Sequence, residues 1–199
     1  FANVFVDNPR YALTFGSLVE WTLIWAVLAT FTNFIFGMIV ALMINKKGIK
    51  CKALFRTMFV MTIAVPQFVT LLLMGQMLST DGAMNVLLKE MGLITTSIKF
   101  LTDPMLAKIT VVVVNMWIGI PYTILITSGI LMNIPEDLYE SAKIDGAGPV
   151  TTFRKITLPY MMFVMTPQLI TQFIGNINNF NVIYFLTGGG PADSAYFNA

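Results

Sequence analysis

Two long runs of this chain contain no charged residue, and they restrict what the chain can fold into. Ile109 to Ile134 holds no Asp, Glu, Lys or Arg, and neither does Ile156 to Ala192. Each run is longer than the about 20 residues that an α-helix needs to cross a bilayer. Because backbone groups in lipid must bond within the protein, these runs predict an all-α membrane protein.

The composition agrees with a membrane protein. Apolar residues make up 56% of the chain and charged residues 11%, whereas soluble domains have about 25% charged residues. The chain has no histidine and one cysteine, Cys51, which we interpret as a free thiol. Within these residues neither a disulfide framework nor a Cys/His zinc site is possible, so we expect no metal site.

The hydropathy pattern predicts four spans, at about 17–44, 57–78, 109–132 and 160–187, in one transmembrane domain that covers residues 1–199. The segment from Asn45 to Arg56 carries only basic charges, which places it on the cytoplasmic side by the positive-inside rule. Pro66-Gln67 interrupts the second span. Because the sequence begins at Phe1 rather than at a methionine, we expect it to be a fragment, with further spans of the protein outside it.

Between the two uncharged runs lies a charged segment, residues 135–159, which must lie at one membrane face. Its pattern predicts two short helices joined by a tight turn. Asn133 is a candidate N-cap, Pro135 suits a first helical turn, and Gly146 suits a left-handed C-terminal cap. Two readings remain open, an ordinary connector and a short helical pair that docks into a partner protein.

Neutral polar residues recur at helical spacing in the last two spans. Gln172, Asn176 and Asn179 are four and three residues apart, and Asn115, Gly119 and Tyr122 repeat that spacing with Ile118 beside them. Such residues either bond neighbouring helices together or line a shared polar cavity. Amides and a tyrosine ring suit a neutral sugar, and no charge lies deep in a span to suit an ion.

The charged segment resembles the EAA loop of ABC-importer permeases, which is the coupling helix that seats in an ATPase subunit. The resemblance rests on Glu140-Ser141-Ala142, Asp145-Gly146-Ala147, Phe153, Ile156 and Leu158-Pro159. It implies that ATPase coupling falls to Glu140, Ser141, Ala142, Asp145, Gly146 and Ala147. Glu140 is then expected to meet a basic residue of the ATPase.

Two further segments resemble the maltose/maltodextrin branch of these permeases. They are the segment from Asn115 to Tyr122 and the segment from Asn176 to Phe180, the latter followed by Gly189-Gly190-Pro191. The resemblance implies a sugar site that contains Asn115, Ile118, Gly119, Tyr122, Gln172, Asn176, Asn179, Ile63 and Gln67. Ile63 stands where that branch has a tyrosine, so a stacking surface is expected to be lost.

The resemblance as a whole implies an all-α, polytopic membrane helical bundle of the ABC type I importer permease class with a cytoplasmic coupling helix. It implies a multi-pass subunit of the bacterial inner membrane that moves maltodextrin-like oligosaccharides into the cytoplasm. The implied partners are a second permease subunit, two ATPase subunits, an extracellular solute-binding protein, the oligosaccharide and the lipid bilayer, with no nucleic acid.

Alternatives concern the substrate and the energy source. The chain has no G-x-x-x-x-G-K-[ST] phosphate loop, so we expect a subunit that is not an enzyme and holds no cofactor, with ATP and Mg²⁺ on the partner ATPase. Another oligosaccharide, such as a galacto- or gluco-oligosaccharide, is the main alternative. An ion-coupled secondary transporter would need intramembrane carboxylates, and a non-transporting assembly subunit would not need the two polar faces.

Overall fold

The computed structural model describes residues 9–46 and 48–190, with side chains from residue 15 onward. Regular structure in this part of the chain is helical, and no strand occurs in it. The helices are α1 Pro9–Asn45, α2 Lys52–Ala64, α3 Gln67–Met77, α4 Ala83–Glu90, α5 Pro104–Met132, α6 Glu136–Ile144, α7 Pro149–Thr152, α8 Leu158–Ile177 and α9 Phe180–Thr187. A π-helical turn, Phe153–Thr157, joins α7 to α8.

Two helices in the described part are long and apolar enough to cross a membrane, Phe15–Asn45 within α1 and Pro104–Met132, which is α5. They overlap the predicted spans 17–44 and 109–132. A third span exists if the bent pair α2 and α3 counts as one. The predicted spans 57–78 and 160–187 are each divided between two helices, and the single membrane domain stays a prediction.

The break between α2 and α3 lies where the sequence predicts it. The two helices meet at 83°, and Pro66 between them has the extended angles φ −56° and ψ 128°. A proline pushes the preceding residue, here Val65, out of the helical region, which ends α2. The Pro66 carbonyl then accepts a hydrogen bond from the Val69 amide at 3.0 Å and starts α3.

The chain divides into two compact units, each built from separate stretches of sequence. The first comprises Phe1–Ala29, Val65–Trp117 and Ile174–Ala199. Its buried residues include Trp25, Leu71 and Val182, and α3 packs against α9. Asn85, on α4, closes the segment that follows this helix: its side chain accepts from the Ile98 amide at 2.8 Å and donates to the Ile98 carbonyl at 2.9 Å.

The second unit comprises Thr30–Ala64 and Ile118–Phe173. In it α1 and α5 approach closely along a seam of short side chains. Gly37 faces Thr123 so tightly that an added Cβ would lie 2.6 Å from the threonine Cβ, and Gly119 faces the Asn33 carboxamide. Small residues of this kind let helices pack in lipid, where there is no hydrophobic drive for association. Apolar clusters around Met161 and Ile124 complete the unit.

We predict that Gly37→Leu destabilises the full-length protein. The leucine would have to displace Thr123 or separate the helices, and overpacking of this kind costs about 1–3 kcal/mol. The control is Gly129→Leu, on α5, where nothing lies within 4 Å of an added Cβ. Thermal unfolding in detergent measures the difference, and equal melting temperatures for the two variants would show that the seam is not closely packed.

Candidate functional site

The polar residues of α5 lie in different surroundings although they share one helix. Asn115 is 5% exposed, and its side-chain nitrogen is buried without a hydrogen-bond partner. Ile118 is half-buried, whereas Tyr122 is 46% exposed. The helix remains continuous through Pro121. Asn115 is therefore a buried donor in an uncharged span, a state that costs free energy unless a ligand or water supplies an acceptor.

Gly119 has a structural role that sequence reasoning missed. A Cβ at this position would meet the carboxamide of Asn33, whose oxygen would lie 3.0 Å away. Asn33 is 2% exposed, and its side-chain oxygen is buried without a partner. The absence of a side chain at Gly119 makes room for this amide. An asparagine in the middle of the first predicted span was the available sequence signal.

Asn179 does not share a helix with Gln172 and Asn176, so the predicted common face is wrong for this residue. Helix α8 ends at Ile177, and Asn179 is the N-cap of α9, with its side chain accepting from the Val182 amide at 3.2 Å. Asparagine is a strong N-cap because its oxygen satisfies an amide at the helix start. Asn176 is 7% exposed, and its carbonyl accepts from the Trp25 indole at 3.1 Å.

An exposed aromatic surface adjoins this N-cap. The rings of Phe180 and Tyr184 stack with centroids 4.7 Å apart. Their side chains are 64% and 48% exposed. The spacing of four residues on α9 was the sequence signal for this pair. Stacked rings offer an apolar face beside the polar amide of Asn179.

The predicted sugar-site residues divide between the two units. Ile63 and Gln67 flank the bend between α2 and α3, and both are exposed. The first unit holds Gln67, Asn115, Asn176 and Asn179. The second unit holds Ile63, Ile118, Gly119, Tyr122 and Gln172. Their roles in binding stay a prediction.

The charged segment folds as two helices around a left-handed turn. Gly146 has φ +72°. Its amide donates to the Lys143 carbonyl at 3.0 Å, and the Ala147 amide donates to the Ala142 carbonyl at 2.8 Å. This is a Schellman cap, which confirms the local prediction for Gly146. The prediction that Asn133 caps α6 is wrong: Pro135 is the N-cap, and the Asn133 side chain donates to the Gly129 carbonyl at 2.9 Å.

The residues around this turn differ in accessibility. Glu140, Ser141, Asp145 and Gly146 are exposed, Ala147 is half-buried, and Ala142 is 8% exposed. Ala142 therefore packs inward. Two apolar side chains that the sequence reasoning missed, Ile144 and Val150, are 86% and 71% exposed on either side of the turn. Exposed apolar groups inside a charged segment are typical of a surface that binds another protein.

A hydrogen bond joins α6 to the π-helical turn. The hydroxyl groups of Tyr139 and Thr157 lie 3.0 Å apart, and Thr157 is 6% exposed. Since the π turn continues into α8, this bond connects α6 to the start of that helix. π-Helical turns occur frequently at functional sites.

The described residues contain no group of three or more His, Cys, Asp or Glu side chains that could hold a metal ion. The chemistry available here is hydrogen bonding by neutral amides and hydroxyls together with apolar contact. Such groups match the chemistry of a polar, uncharged ligand.

Comparison with known proteins gives consistent results over most of the chain. Residues 33–199 match the family described as binding-protein-dependent transport system inner membrane component. The galactooligosaccharides permease GanP of Bacillus subtilis is 40% identical over 195 residues, which cover 96% of this chain and 46% of that protein. The maltodextrin permease MdxF of the same organism is 37% identical over 200 residues, covering 98% and 46%.

MalF of Salmonella typhimurium, a maltose/maltodextrin permease, is 36% identical over 192 residues, covering 96% of this chain and 37% of that protein. The chain thus spans about half the length, or less, of these curated relatives. A solved bacterial ABC transporter that imports the acidic polysaccharide alginate superposes with a TM-score of 0.75 at 22% identity, covering 94% of this chain and 66% of that chain. This likeness confirms the predicted all-α fold.

We predict that Gly146→Val loosens the turn between α6 and α7. A side chain at φ +72° costs about 1–2 kcal/mol, and more for a β-branched one. The matched control is Gly148→Val, because Gly148 has the extended angles φ −72° and ψ 167° and equally open surroundings. Hydrogen exchange of the Gly146 and Ala147 amides in the full-length protein should accelerate in the first variant. Equal protection in both variants would contradict the Schellman cap.

Proposed function

This chain belongs to the family of binding-protein-dependent transport system inner membrane components, and from that premise we propose that it is the membrane-spanning permease subunit of an ATP-driven oligosaccharide importer. Its predicted location in the inner membrane is confirmed by the family and by the apolar helices. The relatives named for maltodextrins and for galactooligosaccharides support an oligosaccharide as cargo.

The observation that carries the proposal is the buried, unpartnered nitrogen of Asn115 within the uncharged run from Ile109 to Ile134. A donor left without an acceptor favours a ligand rich in hydroxyl oxygens. The exposed aromatic pair Phe180 and Tyr184 supports the same ligand, because sugar rings have apolar faces. No charged residue lies among the predicted site residues, which favours a neutral sugar over an acidic one.

Among neutral sugars we propose a maltodextrin-like oligosaccharide. The segment Asn115-Met116-Trp117-Ile118-Gly119-Ile120-Pro121-Tyr122 supports this substrate through its resemblance to the maltodextrin branch. A galactooligosaccharide is the second candidate, favoured by the 40% identity with the permease GanP.

Energy for transport comes from partner subunits in this proposal. The exposed face around the Gly146 turn, with Glu140, Ile144 and Val150, would seat in a cleft of one of two ATPase subunits, which hold ATP and Mg²⁺. A second permease subunit and an extracellular solute-binding protein complete the assembly. Closure of the ATPases would push α6, and the Tyr139–Thr157 bond would pass that motion to α8.

Transport follows as a shift between two states with different affinity for the sugar. In the outward state the neutral amides would accept the sugar from the binding protein. The push on α6 would favour the inward state, in which the sugar loses contacts and leaves to the cytoplasm. A ligand shifts such an equilibrium only by its difference in affinity between the states. This chain breaks no covalent bond in that cycle.

We predict that maltodextrins stimulate ATP hydrolysis by the reconstituted full-length complex in the presence of its binding protein. The measurement compares turnover across maltodextrins, galactooligosaccharides and an acidic oligosaccharide such as an alginate fragment. Stimulation by galactooligosaccharides alone would retain the importer and reject the maltodextrin proposal. An assembled complex that responds to no oligosaccharide would reject the proposed cargo class.

We predict that Asn115→Leu weakens sugar stimulation without weakening the fold. Leucine has a similar shape and removes a donor that has no partner in the protein, so the melting temperature should stay equal or rise. The sugar concentration for half-maximal ATP hydrolysis should increase about tenfold, the loss of roughly one hydrogen bond. A lower melting temperature with unchanged sugar response would instead make Asn115 a helix-packing residue.

A further inference from the structure

A pocket of about 260 Å³ lies in the second unit at the ends of α1 and α5 that the positive-inside rule places in the cytoplasm. Of the seven described residues that line it, three are apolar and four are polar, with one ammonium group and no carboxylate among them. The lining residues are Leu42, Asn45, Lys46, Leu131, Tyr139, Phe153 and Thr157. The proposed transport uses the Tyr139–Thr157 bond in this wall but assigns no ligand to the pocket itself.

Asn45, one of the lining residues, accepts hydrogen bonds from two basic side chains beside the pocket. Its side-chain oxygen accepts from Arg56 at 2.8 Å, and its carbonyl accepts from Lys52 at 2.9 Å. Its side-chain nitrogen donates to the Ser128 hydroxyl at 2.9 Å, which fixes its orientation. The Arg56 guanidinium and the Lys52 ammonium are thus each bonded to a residue of the pocket wall. Lys46 adds a third cation in the wall itself.

Among the residues that the structure describes, no carboxylate pairs with these cations. The Nε atom of Arg56 is buried without a hydrogen-bond partner. From Asn45 to Arg56 every charged residue is basic. Like charges gathered in one place repel each other, and a buried donor without an acceptor costs free energy. An anion in the pocket would relieve the repulsion.

The two hydroxyl groups of the wall offer a further donor. Tyr139 and Thr157 lie 3.0 Å apart and share one hydrogen bond. A pair of hydroxyl groups has two hydrogens, and this bond uses one of them, so the other remains for an acceptor in the pocket. Lys46 and this hydroxyl pair together suit the oxygens of a phosphate ester.

We propose that this pocket binds the headgroup of an anionic phospholipid from the inner leaflet. The phosphodiester would lie against Lys46 and the hydroxyl pair, and the upper part of an acyl chain would lie against Leu42, Leu131 and Phe153. Basic pockets between helices on the cytoplasmic side are typical sites for such lipids. The apolar side of the wall favours a lipid over free phosphate, because inorganic phosphate has no apolar part to bury.

The experiment is native mass spectrometry of the full-length protein in its assembled complex, with phosphatidylglycerol or phosphatidylcholine as the lipid. Leu42→Trp fills the pocket without changing charge, and Met43→Trp is its control because Met43 is 62% exposed and outside the lining. The first variant should retain about fivefold less phosphatidylglycerol, and the second should match the unaltered protein.

A second pair of variants tests the charge. Lys46→Gln should lower phosphatidylglycerol retention about fivefold more than Lys50→Gln, which removes the same charge from an exposed residue outside the pocket. If the Leu42→Trp variant does not assemble into the complex, the comparison of the two lysine variants tests the proposal by itself. Equal losses in both lysine variants would overturn the proposal in favour of diffuse surface attraction.

Three further outcomes would also overturn it. Equal retention of phosphatidylcholine would show that the anionic headgroup is not recognised. Displacement of the lipid by millimolar inorganic phosphate would make free phosphate the ligand. Loss of the lipid whenever the ATPase subunits are bound would show that a protein surface fills the pocket.

Discussion

Satisfaction of backbone hydrogen bonds in lipid is the constraint on which the rest of the structure depends. A membrane span must be helical because no water is present to bond exposed amides and carbonyls. Where this chain leaves the helix, a local group replaces the missing bonds. The Pro66 carbonyl starts α3, the Asn179 side chain caps α9, and the Gly146 turn closes α6. A local hydrogen bond therefore accompanies each of these three breaks, where the chain changes direction at positions that the proposed function uses.

The same constraint explains why helix packing here relies on small and polar residues. Lipid tails are as apolar as leucine side chains, so apolar burial alone does not bring helices together. Gly37 against Thr123 and Gly119 against Asn33 give a close approach of α1 and α5. The cost is a buried asparagine oxygen without a partner. A bulkier apolar seam would avoid that cost and would hold the two helices farther apart.

Much of this architecture was predictable because it depends on local chemistry. Long apolar stretches predict α1 and α5, Pro66 predicts the break after Ala64, and glycine predicts the turn at Gly146. Contacts between distant residues were not predictable in the same way. The placement of Asn33 on Gly119 depends on how two helices cross, which a single sequence does not reveal.

Errors arose where two local explanations competed. Helical spacing favoured a common face for Asn176 and Asn179, yet the capping preference of Asn179 prevailed and started a new helix. The sequence pattern also predicts Asn133 as a cap, but its side chain donates to the Gly129 carbonyl and Pro135 occupies the N-cap position of α6. In both cases the asparagine side chain can form a hydrogen bond with more than one nearby backbone group. Which hydrogen bond forms depends on where tertiary packing ends the helix.

Membrane orientation alone does not account for the basic residues at the inner ends of the helices. The positive-inside rule needs only charge on the cytoplasmic side, and freely solvated lysines satisfy it. Here Lys52 and Arg56 bond to Asn45 instead, and the Nε atom of Arg56 is buried. Ordering these long side chains and removing water from a guanidinium both cost free energy. Because Asn45 also bonds Ser128 and borders the pocket that Tyr139 lines, these hydrogen bonds connect α1, α2 and α5 beside α6. An anion held there would stabilise one arrangement of these helices over another, so the composition of the inner leaflet would influence the same element that the ATPases are proposed to move.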